Sequence, residues 1–206
     1  METDIKVTII HKAGELFLKF GLKSISMDDI AKSLSISKKT IYKFFKNKDD
    51  LINSHVFHFI ELQKSEILRL KKESNDPIHN LILISEYMKK NIINIAPALI
   101  HDLQKYHPKA WRIYVKFKRG FLINYISDTL EEGIQKGYFR QDIHPKIIAI
   151  IRLEEVETGF NTEVFPQNEF NTSEVQMQLF EHYIHGICTL KGHKLLNKYR
   201  DIIEDE

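Results

Sequence analysis

The residues best suited to chemistry lie in one short stretch near the amino terminus. Five lysines fall between residues 38 and 48, and Thr40 and Tyr42 stand among them. Lysine can donate to guanine or to phosphate, threonine can bond a base edge or contact a thymine methyl, and tyrosine can donate to a phosphate. A helix that begins at Lys38 would turn five such side chains outward near its amino-terminal half: Lys38, Lys39, Thr40, Tyr42 and Lys43. This set suits the major groove of duplex DNA, which admits a helix.

Two short helices must position these side chains. Ser26, with Asp29 three residues later, forms a capping-box pattern that predicts a helix over about residues 27–34. Ser35 to Ser37 interrupts the apolar spacing, and Ser37 can cap a second helix over about residues 38–45. The buried side of that second helix is expected to consist of Ile41, Phe44 and Phe45. We call residues 26–51 the reader segment.

A third helix begins at the end of the reader segment. Asn47 can cap it, and Lys48 stands in its first turn, so this helix start could hold a DNA phosphate. The predicted DNA-binding residues are therefore Ser26, Ser37, Lys38, Lys39, Thr40, Tyr42, Lys43 and Lys48. The alternative is a small helical hairpin with a solvated lysine face. The caps, the turn length and the aromatic pair together favour DNA binding.

The reader segment resembles the DNA-binding domain of the TetR family of bacterial transcriptional regulators. The resemblance rests on a spaced pattern: Ile30-Ala31, Ser37, Thr40, Tyr42, Phe45, Lys48 and Leu51. Two residues depart from the family pattern, because Ser35 stands where glycine is usual and Lys39 where a small residue is common. A positive φ at Ser35 would be strained. The resemblance implies a repressor that dimerises through its last two helices and holds a ligand in a helical body.

Composition predicts a globular, all-α chain. The 206 residues are 43% hydrophobic and 28% charged, with only 8 Gly and 5 Pro and no strand-like alternation of any length. Residues 1–48 carry ten lysines and five acidic residues, a net charge of +5, and the remainder carries −3. A basic amino-terminal end suits nucleic acid. No transmembrane span, signal peptide or disulfide pair is evident, which favours the cytoplasm.

About nine helices are expected in two domains. Residues 1–47 would form the three-helix DNA-binding domain, and residues 48–206 a larger domain for ligand binding and dimerisation. Within the second domain we expect a link helix from Lys48 to Lys72, a long helix from Pro108 to Lys136, and a last helix from Ser173 to Tyr199 with a bend near Gly192.

Two apolar sets in the second domain are candidate sites. The aromatic set would line a cavity: Phe57, Tyr87, Met88, Trp111, Tyr114, Phe117, Phe121 and Tyr125. The aliphatic and aromatic set near the carboxyl end would form a dimer interface: Ile147, Ile151, Phe180, Ile184 and Ile187. Apolar residues at helical spacing are more often simple core packing, and this alternative stays open for both sets.

No enzyme, cofactor or metal site is expected. The sequence contains no P-loop, dinucleotide-binding glycine pattern, nucleophile elbow or zinc-protease helix. His55 with His58, and His182 with His185, share helical faces, but neither pair has an evident third ligand. We therefore expect a DNA-binding homodimer released from a palindromic operator by a small molecule. The alternative is a DNA-binding protein that needs no effector or is switched by a partner protein.

Overall fold

The computed structural model describes residues 2–91 and 97–200, and within these ranges the chain is helical, with no strand. The helices are α1 (Glu2–Phe20), α2 (Met27–Ser33), α3 (Lys38–Tyr42), α4 (Lys48–Glu73), α5 (Pro77–Asn91), α6 (Pro97–Tyr106), α7 (Pro108–Lys116), α8 (Ile123–Gln135), α9 (Pro145–Thr158), α10 (Thr172–Ile187) and α11 (Leu190–Tyr199). A π-helical turn, Phe117–Leu122, joins α7 to α8 without a break. The all-α prediction is confirmed. No described helix is both long and apolar enough to cross a membrane.

Proline and glycine mark several helix ends. Proline stands at the first position of α5, α7 and α9, where its missing N–H costs nothing and its fixed φ suits a helix. Gly21 ends α1 with a φ of 82°, a left-handed conformation that glycine adopts without steric cost. These ends lie within a few residues of the boundaries that the sequence predicts.

The last predicted helix is two helices, and the break falls earlier than the sequence suggests. α10 ends at Ile187, and Thr189 caps α11 by accepting a hydrogen bond from the backbone N–H of Gly192. Cys188 forms an isolated β-bridge with Phe139, and the N–H of Thr189 donates to the carbonyl of Tyr138. The interruption therefore lies three to four residues before Gly192, where the bend was expected, and it includes a contact with a distant part of the chain.

The described chain divides into two compact units. Unit 1 comprises residues 1–64 and 95–117, and unit 2 comprises residues 65–94 and 118–206. Unit 1 is thus larger than the predicted domain of residues 1–47, since it also takes the first part of α4, all of α6 and the start of the long helix. The units differ from the predicted domains because a segment far along the sequence packs into the amino-terminal core.

The core of unit 1 joins the reader segment to its supports. Its fully buried side chains come from α1, α2, α3, α4 and α7: Ile9, Ala13, Ile30, Ile41, Leu51, Ile52 and Ala110. Leu99 and Leu103 of α6 pack against the same cluster. Burying this apolar surface, at about 25 cal/mol per Å², is what holds the short helix α3 in place.

Unit 2 has a separate core between α5, α8, α10 and α11. Its fully buried members include Ile78, Leu130, Phe139, Ile184 and Leu196. The ring of Phe139 lies so close to Gly133 that a Cβ there would come within 2.0 Å of it. Cys188 joins this core at 5% exposure, and burial raises the pKa of its thiol to about 12.

Candidate nucleic-acid interface

The start of α2 is fixed by a complete capping box. The hydroxyl of Ser26 accepts from the backbone N–H of Asp29 at 3.2 Å, and the Asp29 carboxylate accepts from the backbone N–H of Ser26 at 2.9 Å. The same hydroxyl donates to Asp29 at 2.6 Å, and these bonds lower the pKa of the Asp29 carboxyl. The sequence prediction of this cap is confirmed. Ser26 is exposed, but its hydroxyl is committed to the helix start.

The turn between α2 and α3 keeps the left-handed geometry usual for glycine. Ser35 has a φ of 54°, and no other described residue except Gly21 and Gly137 has a positive φ. For a residue with a Cβ this conformation costs roughly 1–2 kcal/mol. The turn therefore adopts the left-handed conformation at the expense of strain at Ser35.

The helix α3 presents the predicted side chains to solvent. Ser37 caps it by accepting from the backbone N–H of Thr40, and the hydroxyls of these two residues are 2.8 Å apart. Tyr42 is 45% exposed, and Lys39 and Lys43 are also exposed. Regular α3 ends at Tyr42, three residues before the predicted end, and a turn carries the chain to the buried Phe45. The exposed face of α3 is therefore polar and basic, and it lies close to the start of the helix.

Lys38 is already engaged by an acidic neighbour. Its Nζ donates to Asp28 at 2.9 Å, and this bond raises the pKa of the Lys38 ammonium. Both side chains are about half exposed, so the pair is screened by water and holds the lysine only weakly. A DNA phosphate could take the place of Asp28.

The start of α4 adds basic groups beside α3. The side chain of Asn47 accepts from the N–H of Asp50, and the carboxylate of Asp50 accepts from the N–H of Lys46. Lys48 is half-buried, and its Nζ lies 3.4 Å from the carbonyl oxygen of Lys23. Burial lowers the pKa of Lys48. A 26-residue helix begins here, so its dipole and free N–H groups favour an anion.

The α6–α7 segment, residues 97–116, is tied to the reader segment's supports by polar contacts as well as by apolar packing. Nζ of Lys23 lies 3.4 Å from Asp102 and 3.8 Å from the centre of the Tyr106 ring. The bond to Tyr106, followed by that to Asp102, raises the pKa of Lys23. Nδ1 of His107 lies 3.0 Å from Asp49 in the first turn of α4. A shift of the α6–α7 segment would therefore displace Lys23, just before the reader segment, and Asp49, near its end.

Known proteins match this chain, some over the DNA-binding region and others over most of its length. Residues 9–54 match the family described as bacterial regulatory proteins, tetR family. A Bacillus subtilis HTH-type transcriptional regulator, YhgD, is 26% identical over 159 residues, which span 75% of this chain and 81% of YhgD. The amino-terminal region of this chain, residues 9–54, is that of a TetR-family protein. The curated relatives are HTH-type transcriptional regulators, which agrees with what the sequence resemblance implies.

Solved structures share the fold of this chain. A regulator from Saccharomonospora viridis in complex with choline superposes with a TM-score of 0.79 at 17% identity, covering 91% of this chain and 99% of that one. FadR of Bacillus subtilis in complex with stearoyl-CoA gives a TM-score of 0.70 at 20% identity, covering 88% and 98%. At these identities the likeness establishes the fold.

The aromatic residues predicted to line a cavity divide between the two units of the chain. Four lie in unit 1: Phe57, Trp111, Tyr114 and Phe117. Four lie in unit 2: Tyr87, Met88, Phe121 and Tyr125. Phe57 is 55% exposed. In unit 2 the rings of Phe121 and Tyr125 stack, and the Tyr125 hydroxyl donates to the buried Asn80 at 2.9 Å.

The predicted dimer residues also separate into two groups. Ile147 and Ile151 of α9 are 53% and 45% exposed, so both can meet a partner. Phe180, Ile184 and Ile187 of α10 are buried within the single chain. Assigning these three to an interface is wrong, because their surface is already used in the core of unit 2. Ile150 is exposed beside Ile147 and Ile151 and was missed, although it lies on the same helical face.

Several contacts of this interface were not predicted. Asp28 as the partner of Lys38, and the α6–α7 segment with Asp102, Tyr106 and His107, carry no local sequence signal. Lys46 was visible in the lysine-rich stretch and lies exposed near the start of α4. The missed contacts join residues that are 10 to 83 positions apart, which helical periodicity alone cannot reveal.

Proposed function

We propose that this chain is a repressor that binds a palindromic operator as a homodimer and is released by a small molecule. In this proposal the α3 helix of each protomer enters the major groove. Lys39, Thr40, Tyr42 and Lys43 reach bases or phosphates, while Lys38 exchanges Asp28 for a phosphate. Ser26 and Ser37 fix the helix starts, and Lys48 supports a phosphate at the start of α4.

The observation that carries the proposal is the membership of the α6–α7 segment in unit 1. The buried Ala110 and the partly buried Leu99 and Leu103 pack into the same core as the reader segment. The α6–α7 segment lies far along the sequence from the helices that it supports. Because Lys23 and Asp49 both contact this segment, a ligand that moves α6 would change the position of the reader helices.

A dimer would place two reader segments on one face of the duplex. The exposed apolar face of α9, formed by Ile147, Ile150 and Ile151, is suited to pack against its copy by a two-fold axis. Half-sites about 34–36 Å apart, one helical turn of DNA, would then be read by the two α3 helices. The operator would be a palindrome because the dimer is symmetric.

A small-molecule effector is supported by the ligand complexes of the two structural relatives, one with choline and one with stearoyl-CoA. For this chain we propose the aromatic residues Tyr87, Met88, Phe121 and Tyr125 of unit 2, with Phe57, Trp111, Tyr114 and Phe117 of unit 1, as the first to test for ligand contact. Release from 99% bound to 1% requires about 10⁴-fold preference of the ligand for the released state.

The test is selection of bound duplexes from a random DNA library by the purified full chain, followed by affinity measurements on the enriched sequence. An enriched palindrome supports the proposal. Lys39→Ala should then weaken binding by about 1–3 kcal/mol and relax one base position. Lys72→Ala, an exposed lysine near the far end of α4, is the matched control and should bind as the wild type does.

Salt and ligand titrations complete the test. With 6–10 phosphate contacts, affinity should fall about 10³–10⁵-fold between 50 and 200 mM salt. Binding without an enriched sequence would contradict the proposed operator recognition. If no member of a broad metabolite library releases the complex, the effector part of the proposal fails while the DNA-binding part stands.

A further inference from the structure

Two histidines from different helices meet at one point on unit 1. Nε2 of His11, on α1, lies 3.1 Å from Nε2 of His58, on α4. The rings cross edge-on, with an interplanar angle of 80° and centres 4.9 Å apart. His11 is exposed and His58 is half-buried, so solvent reaches the pair.

The spacing of these nitrogens matches that of two ligands on one metal ion. Imidazole nitrogens bind zinc at about 2.0–2.1 Å, so two of them at the tetrahedral angle stand about 3.3–3.4 Å apart. His11 and His58 would separate by only a few tenths of an ångström to admit the ion. Without an ion, the two facing nitrogens are within hydrogen-bond distance of each other.

A metal-binding imidazole must be unprotonated at the coordinating nitrogen. Both facing nitrogens lie at a surface that solvent reaches, so an ion can enter between them.

We propose that His11 and His58 bind one divalent transition-metal ion of the class that prefers imidazole, namely zinc, nickel or copper. Among the described residues no group of three His, Cys, Asp or Glu side chains is placed to hold an ion. Water therefore fills the remaining positions. The site is open, so the ion exchanges with solution.

Carboxylates stand close in sequence to both ligands. Glu15 follows His11 by one helical turn, and Glu61 follows His58 by three residues. Each is paired with a half-buried lysine on its own helix, and such a pair near the surface holds a carboxylate weakly. Either could turn toward a bound ion.

The consequence is a link between two helices that support the reader segment. α1 packs against α2, and α4 follows the reader segment directly. An ion shared by His11 and His58 would fasten α1 to α4. This binding needs neither an operator nor an organic effector, so it is independent of the proposed function.

The experiment is calorimetric titration of zinc chloride alone into the metal-free full chain. His193→Gln serves as the background, because His185 and His193 form a second close pair, with Nδ1 atoms 3.2 Å apart. His11→Gln and His58→Gln are then added singly. The background should bind one ion per chain, and each added change should weaken binding by at least about tenfold.

Thermal unfolding provides a second readout. Zinc should raise the melting temperature of the background but not that of either added variant, since an ion that binds only the folded chain stabilises it. Circular dichroism in EDTA checks that the variants are folded. If His58→Gln does not fold, His11→Gln decides, because that side chain is exposed. The proposal is overturned if the background binds no zinc or if His11→Gln binds it as tightly as the background.

Discussion

At the scale of single residues, Ser35 carries the clearest strain in the reader segment. Its φ of 54° is the conformation that glycine adopts freely. Ser35→Gly should therefore stabilise the chain by about 0.5–1 kcal/mol, after allowance for the extra freedom of glycine in the unfolded chain. The melting temperature of unit 1 should rise by about 2–4 °C.

Ser35→Ala distinguishes the energetic effect of the left-handed backbone from that of the hydroxyl. Alanine keeps a Cβ and the strain but removes the oxygen, so its melting temperature should stay near that of the wild type. Equal stabilisation by alanine and glycine would show that the hydroxyl, and not the left-handed backbone, is the source of the cost.

A second residue-scale prediction concerns His55 on α4. Its ring lies against α1, so close to Gly14 that a Cβ there would come within 2.2 Å of the ring. Its Nδ1 is buried, with no hydrogen-bond partner among the described residues. Burial lowers the pKa of His55 from 6.5 to about 4.

The lowered pKa of His55 makes the folded chain less stable as the pH falls. The unfolded chain takes up the proton near pH 6.5 and the folded chain only near pH 4, so stability is fully present above pH 6.5 and is lost as the pH falls toward 4. The loss from this residue is roughly 3 kcal/mol at most. Urea unfolding at pH 7.5, 6, 5 and 4.5 in EDTA measures it. His55→Phe should flatten the profile, and the exposed His101→Gln should leave it unchanged.

At the scale of elements, the start of α7 is expected to be a structural part of the DNA-binding unit. Ala110 is fully buried in the cluster that also contains Ile30 and Ile41 of the reader segment. Ala110→Leu would overfill this site and should destabilise unit 1 by about 1–3 kcal/mol. Hydrogen exchange of the α1 and α2 amides should become faster.

The neighbouring Lys109 supplies the control for this prediction. Lys109 is exposed one position earlier on the same helix, so Lys109→Leu adds apolar surface without entering the core. Amide exchange in α1 and α2 of the Lys109→Leu variant should match that of the wild type. Unchanged exchange in Ala110→Leu would mean that α7 does not support the reader segment.

The sequence predicts elements well where the signal is local. The capping box of Ser26 and Asp29, the Asn47 cap and the proline-started helices appear as expected because each depends on residues within one turn. The break at Cys188 depends on Phe139, and the buried site of Ala110 depends on residues far earlier in the chain. The π-helical turn at Phe117–Leu122 has no sequence signal that we recognise.

At the scale of the whole molecule, the predicted dimer depends on a small set of exposed residues. Ile151→Lys places a charge in the middle of the apolar face of α9 and should convert a dimer into a monomer in sedimentation velocity. Operator affinity should fall sharply, because a monomer reads only one half-site. Leu62→Lys is the matched control, since Leu62 is an exposed leucine on α4 in unit 1.

The five predicted interface residues divide into exposed and buried positions, which the amino-acid sequence alone does not distinguish. Ile147, Ile151, Ile184 and Ile187 look alike in sequence, yet two are exposed and two are buried. Which apolar face of a helix meets its own core depends on the neighbours it packs against. A dimeric Ile151→Lys variant would move the search for the interface away from α9.

The buried thiol in unit 2 has a practical consequence for measuring motion. Cys188 is the only cysteine of the chain, it is 5% exposed, and its pKa of about 12 keeps it from forming a reactive thiolate. A cysteine introduced at the exposed Lys39 would therefore be the sole site for a maleimide spin label. In a homodimer the two labels form a symmetric pair, and pulsed electron resonance would report the separation of the two α3 helices directly.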